Sequence, residues 1–132
     1  SNPGGDALQQ LQLADGRTVA QAVAQLVANI CEQSIGASGY SLLGAVVGAT
    51  KPSEAAILRN LMPRQIFLVP GFGAQGGTAD DVKACFNADG RGALITASRS
   101  VIHAHQSCPE MDWKQAVASA AADLNRQIAA IL

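Results

Sequence analysis

The sequence predicts an α/β fold built on a parallel sheet, and three observations carry that expectation. Short apolar runs alternate with helical patterns in a steady strand–helix rhythm. Each unit spans about 30 residues, the length that a right-handed crossover between parallel strands needs. Apolar residues make up 48% of the chain but aromatic ones only 4%. Much of the apolar fraction is Ala and Val, small side chains that let helices lie close on a sheet.

The chain opens on Ser1-Asn2-Pro3-Gly4-Gly5, turn chemistry with no element before it. Residues 6–13 form a short mixed segment that ends at the Asp15-Gly16 turn. A helix is expected over 18–35, with Val19, Val23, Leu26, Val27 and Ile30 as one apolar stripe and Gly36 and Gly39 as its stop. Residues 40–49 read as a strand buried on both faces, whose glycines suggest close approach by another backbone. A second helix opens at 50–54, where Pro52 is tolerated in the first turn; Ile57, Leu58 and Leu61 face inward and Pro63 ends it.

The next strand, 65–69, runs into Pro70-Gly71-Phe72-Gly73-Ala74-Gln75-Gly76-Gly77. Thr78 and Asp81 then resemble a capping box, and Val82, Cys85 and Phe86 point inward. After the turn 87–90, a third strand over 92–97 ends in Ser98-Arg99-Ser100. The last helix is expected over 110–132, with a stripe of Trp113, Val117, Ala121, Leu124, Ile128 and Ile131.

Length shapes the architecture. The 132 residues suffice for one small domain. Three strands alone leave an edge-exposed sheet, and a (β/α)8 barrel typically takes ~250 residues. The expectation is therefore one segment, 1–132, forming the C-terminal half of such a barrel. The N-terminal half lies outside this sequence, because a full helix closes the C-terminus. A net charge of −1 argues against a nucleic-acid or membrane-surface footprint. Cys31, Cys85 and Cys108 are scattered and odd in number, which favours reduced thiols and a cytoplasmic location. No apolar run reaches membrane-spanning length, and no signal peptide is visible.

In parallel α/β folds ligands bind at the carboxyl ends of strands, and in barrels the last two strand ends often build a phosphate site. Loop 70–77 and Arg99 occupy those places. Four glycines in residues 71–77 let backbone N–H groups approach an anion closely. Arg99 can fork onto phosphate. Gln75 is suited to bridge phosphate and a polar ring edge. The loop alone is also the pattern of a tight strand-to-helix turn, and a lone arginine that of a surface ion-pair partner; their joint position favours phosphate. The loop lacks the Lys-Ser/Thr ending of a nucleoside-triphosphate loop and the spacing of a dinucleotide fingerprint. His103 and His105, with Cys108 nearby, would share one face of a strand, but no convincing further ligands accompany them and no metal is expected. Asp80 and Asp81 support a helix start. Lys51, Lys83 and Lys114 belong to helices, and no general acid–base set is visible.

Four stretches together resemble the orotidine 5'-phosphate decarboxylase family, most closely its mycobacterial-type bacterial branch. They are Ser1-Asn2-Pro3-Gly4-Gly5, Gly44-Ala45-Val46-Val47-Gly48-Ala49-Thr50, Leu68 through the glycine loop, and Ala97-Ser98-Arg99-Ser100. The resemblance covers essentially the whole chain. It implies strands six to eight of the barrel with their helices, entered from the end of strand five. It also implies decarboxylation of orotidine 5'-phosphate to uridine 5'-phosphate in pyrimidine biosynthesis, without metal or organic cofactor. By the same resemblance, Ser1 contacts the pyrimidine, Pro70 lines its pocket, and Gln75 bridges ring and phosphate. Arg99 binds the phosphate, and Gly71, Gly73 and Gly76 are substrate-binding; the glycines Gly71, Gly73, Gly76 and Gly77 are expected to leave the loop mobile enough to close over it as a lid. The family's Asp-x-Lys-x-x-Asp network and its dimer-crossing aspartate have no match here. The chain is thus expected to hold no catalytic residue, to be inactive alone, and to need the N-terminal half of the barrel within a homodimer. Two further readings stand beside it: another phosphate-binding barrel enzyme, and a non-catalytic half-barrel module whose sheet edges pair with a partner.

Overall fold

The computed structural model describes residues 3–30, 32–73 and 77–132. Three parallel strands, β1 (Ala45–Val46), β2 (Phe67–Val69) and β3 (Ala93–Ile95), form a sheet in the order β1-β2-β3. Helix α1 (Asp6–Gln9) and helix α2 (Val19–Ile30) precede the sheet. Helix α3 (Pro52–Leu61) links β1 to β2, and helix α4 (Ala79–Lys83) links β2 to β3. Helical turns at Ser98–Ile102 and Ala104–Ser107 lead from β3 to helix α5 (Trp113–Ala129). The expected alternation is present, with elements shorter than the pattern suggested.

Alternation along the strands separates two faces. Phe67 and Val69 are fully buried and pack with Val47, Ala49, Ala55, Met62, Val82 and Cys85. On the opposite face Val46, Leu68 and Leu94 stand in register across the three strands, 70%, 41% and 59% exposed. Of the strand expected at 40–49 buried on both faces, Ala45–Val46 is extended; helices of this chain cover one of its faces and leave the other exposed. The close backbone approach is present at Gly44, where a Cβ would lie 2.4 Å from the Ile66 carbonyl oxygen.

Three helical faces differ from the expected stripes. In α2, Ala24, Val27 and Ala28 meet the core while Val23, Leu26 and Ile30 are exposed. This helix is apolar on two sides, and the small-residue side lies against its neighbours. In α3, Ile57 is exposed and Ala55 and Arg59, one turn apart, point inward. In α5, Trp113 and Ala121 are exposed, whereas Ala116 is buried and Leu124, Ile128 and Ile131 reach the core.

Arg59 ties the amino ends of the strands together. Its Nε donates to the Cys85 carbonyl (2.9 Å), its Nη1 to those of Met62 (2.7 Å) and Gln65 (2.9 Å), and its Nη2 to that of Gly92 (2.9 Å). The guanidinium lies 3.5 Å above the Phe67 ring centre. Burial pulls its pKa down from the usual value. Planar forked donors and ring stacking are what arginine offers and lysine does not. The same burial pushes the neighbouring Cys85 thiol up to about 11, so it stays protonated at neutral pH.

Candidate phosphate-binding site

The carboxyl ends of the strands converge through backbone contacts. The Ala49 N–H donates to the Pro70 carbonyl at 3.0 Å, and the Thr96 N–H to the Val69 carbonyl at 3.0 Å. Half-buried Pro70 is therefore held where β2 leaves the sheet. Gly71 and Gly73 take φ values of 98° and 68°, which L side chains rarely adopt. Buried Phe72 anchors the loop between them and forms a parallel bridge with Gly77. The ends of the loop are closed by Gly73 N–H to Gly77 carbonyl (2.8 Å) and Gly77 N–H to Gly71 carbonyl (3.3 Å). A Cβ at Gly77 would lie 2.8 Å from the Ala49 methyl.

A glycine loop here is expected to present unpaired N–H groups to an anion; among its described residues, two are already paired. The N–H groups of Gly73 and Gly77 serve the loop itself. The start of α4 is also occupied: Thr78 N–H donates to Asp81 Oδ2 (2.8 Å), and Asp81 N–H donates to Thr78 Oγ1 (3.3 Å). The expected capping box is present, and a carboxylate already sits at that helix end. The Thr78 N–H and then the Thr78 hydroxyl (2.7 Å), both donating to Asp81 Oδ2, hold that carboxyl below its ordinary pKa.

Arg99 is exposed in the turn Ser98–Ile102, and among the described residues no hydrogen bond or ion pair engages it. The neighbouring Ser100 places its Oγ 3.9 Å from where a Cβ on Gly73 would be. The glycine loop and the arginine turn are thus adjacent at consecutive strand ends, as the spacing predicted. Of the predicted site residues, Pro70, Gly71, Gly73 and Arg99 are brought to this end of the sheet; Ser1, Gln75 and Gly76 lie outside the described residues.

His103 and His105 do not share a strand. His103 lies between the two helical turns and His105 in the second, with ring centres 6.4 Å apart, and the buried His105 Nδ1 has no hydrogen-bond partner among the described residues. Among the described residues no group of three or more potential ligands could hold a metal. No helix there is long and apolar enough to cross a membrane.

Sequence reasoning passed over Lys51 and Asp6. Lys51 sits at the start of α3, where the helix dipole disfavours a cation. Two carboxylates offset that field: Lys51 Nζ lies 2.5 Å from Asp6 Oδ1 and 3.6 Å from Glu54 Oε1. The Asp6 contact raises the Lys51 pKa. A lysine beside Pro52 at a helix start was itself a signal that an acid had to be near.

No family model matches the chain. Orotidine 5'-phosphate decarboxylase of Rhodopirellula baltica is 46% identical over 134 residues, covering 97% of this chain and 44% of that protein. The enzyme of the same name from Caldicellulosiruptor bescii is 34% identical over 132 residues, covering 100% of this chain and 43% of that protein. Among solved structures, Leishmania donovani OMP decarboxylase superposes with a TM-score of 0.74 at 33% identity, over 98% of this chain and 44% of that one. The chain spans under half the length of the relatives it matches. Its three βα units are a portion of their barrel. With sequence and fold agreeing along nearly its whole length, the chain belongs to the orotidine 5'-phosphate decarboxylase family.

Proposed function

We propose that this chain supplies the pyrimidine- and phosphate-binding portion of an enzyme that decarboxylates orotidine 5'-phosphate to uridine 5'-phosphate. The observation that carries the reading is the adjacency of the Gly73 loop to the turn bearing Arg99, whose guanidinium has no protein partner among the described residues. Arg99 binds the substrate phosphate through forked, charge-assisted hydrogen bonds. Pro70 forms an apolar wall beside the pyrimidine. Ser1 and Gln75 contact the ring, and Gln75 also reaches the phosphate. Gly71, Gly73, Gly76 and Gly77 shape the loop that covers it.

The reacting carboxylates and lysine come from the remainder of the barrel, and the chain contributes no catalytic residue. Its contribution is binding energy far from the bond that breaks, which can be used to organise the reacting end. The full-length enzyme works as a cytoplasmic homodimer in this reading.

The test is Arg99→Ala in the full-length enzyme. One charge-assisted hydrogen bond contributes about 1.5–3 kcal/mol, so kcat/KM should fall about 10- to 150-fold. An unchanged kcat/KM would remove the assignment. Calorimetric titration of the wild type should show uridine 5'-monophosphate binding more tightly than ribose 5-phosphate. Equal affinities would count against a pyrimidine site.

A further inference from the structure

The start of the chain is fastened to the carboxyl end of β1 through one lysine. Lys51 Nζ meets Asp6, the first residue of α1, at 2.5 Å. Glu54, which also faces Lys51, accepts a 2.5 Å hydrogen bond from Gln10 Nε2, at the other end of α1. Helix α1 has four residues and buries none of them, so packing does little to fix it. Polar contacts at both ends do so instead. An isolated surface pair would contribute little, but here one ammonium is shared by two carboxylates, and the second holds an amide.

Lys51 is two residues beyond Ala49, whose N–H binds the Pro70 carbonyl and whose methyl fits against Gly77. A cavity of about 490 Å³ is lined by Lys51, Glu54, Gln9, Val46 and Pro70, among others. The connection from Ala49 to Lys51 therefore joins the α1 segment to both Pro70 and the closing end of the glycine loop.

We propose that Lys51 and Asp6 form a positioning clamp that sets α1 against the connection following β1 and, through the Ala49–Pro70 contact, holds Pro70 on the pyrimidine side of the site. The proposal rests on the decarboxylase reading. Lys51 and Asp6 act through the segments they hold, and both are positioning residues.

The two charges allow a decisive test in the full-length enzyme, with uridine 5'-monophosphate as the probe. If only the electrostatic field mattered, K51M would weaken binding of the dianionic ligand and D6N would strengthen it. A clamp requires both to weaken it. Each variant should lose about tenfold in affinity, and D6N/K51M should lose no more than either alone. The reversed pair D6K/K51D should recover to within about threefold of wild type. KM should rise in each single variant while kcat stays within about threefold. D6N binding as tightly as wild type, or losses that multiply in the double variant, would overturn the clamp and leave the decarboxylase reading standing. A wild-type enzyme that does not bind the nucleotide would overturn both.

Discussion

Two arginines mark the two ends of the sheet, and they are used in opposite ways. At the amino ends, Arg59 is buried and gives its donors to the carbonyls of Met62, Gln65, Cys85 and Gly92. At the carboxyl ends, Arg99 is exposed and has no hydrogen bond or ion pair among the described residues. The strands there are joined by backbone contacts and glycine turns. One end saturates a guanidinium with protein acceptors and becomes rigid. The other leaves Arg99 exposed in a turn that adjoins Gly73 through Ser100, the place where we propose that a phosphate binds. This is the division between stability and binding expected of the two ends of a parallel barrel.

The largest effect should come from breaking the saturated end. Arg59→Met in the full-length protein removes donors from four carbonyls and should cost about 3–5 kcal/mol in denaturant unfolding. Arg59→Lys should rescue little, because an ammonium cannot reproduce the fork. A wild-type midpoint for Arg59→Met would erase the contrast between the ends. The next largest should be Gly77→Ala. Its Cβ would meet the Ala49 methyl and the Gly71 carbonyl, a crowding that costs about 1–3 kcal/mol. Here thermal unfolding should shift less than for Arg59→Met, while calorimetry should show weakened uridine 5'-monophosphate binding. Binding equal to wild type would mean that the closed loop is irrelevant to the ligand.

The smallest is Thr78→Ala, which removes a helix cap at about 1 kcal/mol. It also sharpens the comparison through pH. Folding lowers the Asp81 pKa, so its contribution is complete above the unfolded carboxyl value near 3.9. It is lost as pH falls through the lower folded value. The stability gap between wild type and Thr78→Ala should therefore shrink in acid. A gap that stays constant down to the folded pKa and below would detach the cap from Asp81 ionisation.

The elements and the order of the strand ends were legible for local reasons. Apolar strand runs, Pro52 at a helix start, and the Thr78–Asp81 pair act over a few residues, and strand ends inherit their meaning from the parallel topology. Which side of an element meets the core was not legible. Of the stripe Val19, Val23, Leu26, Val27 and Ile30, Val27 meets the core beside Ala24 and Ala28, while Val23, Leu26 and Ile30 are exposed in this chain. Val46, Leu68 and Leu94 belong to runs apolar on both sides, and only the three-dimensional arrangement reveals that helices cover one. Glycine content marked a loop able to turn tightly; it could not reveal that Gly73 and Gly77 use their own N–H groups to close it. Arg59 carried no local signal, because its acceptors are brought together only by tertiary structure.

Those acceptors have a consequence for the order of folding. Met62 and Gln65 are near Arg59 in the chain, but Cys85 lies 26 residues away and Gly92 lies 33 away. Helix α3 can form first, yet its guanidinium remains hydrated until α4 and the start of β3 arrive. Desolvation becomes favourable only when all four carbonyls are present. Residues 59–92 are therefore expected to open together in native-state hydrogen exchange, since this arginine can leave water only when the chain has completed a strand–helix–strand circuit.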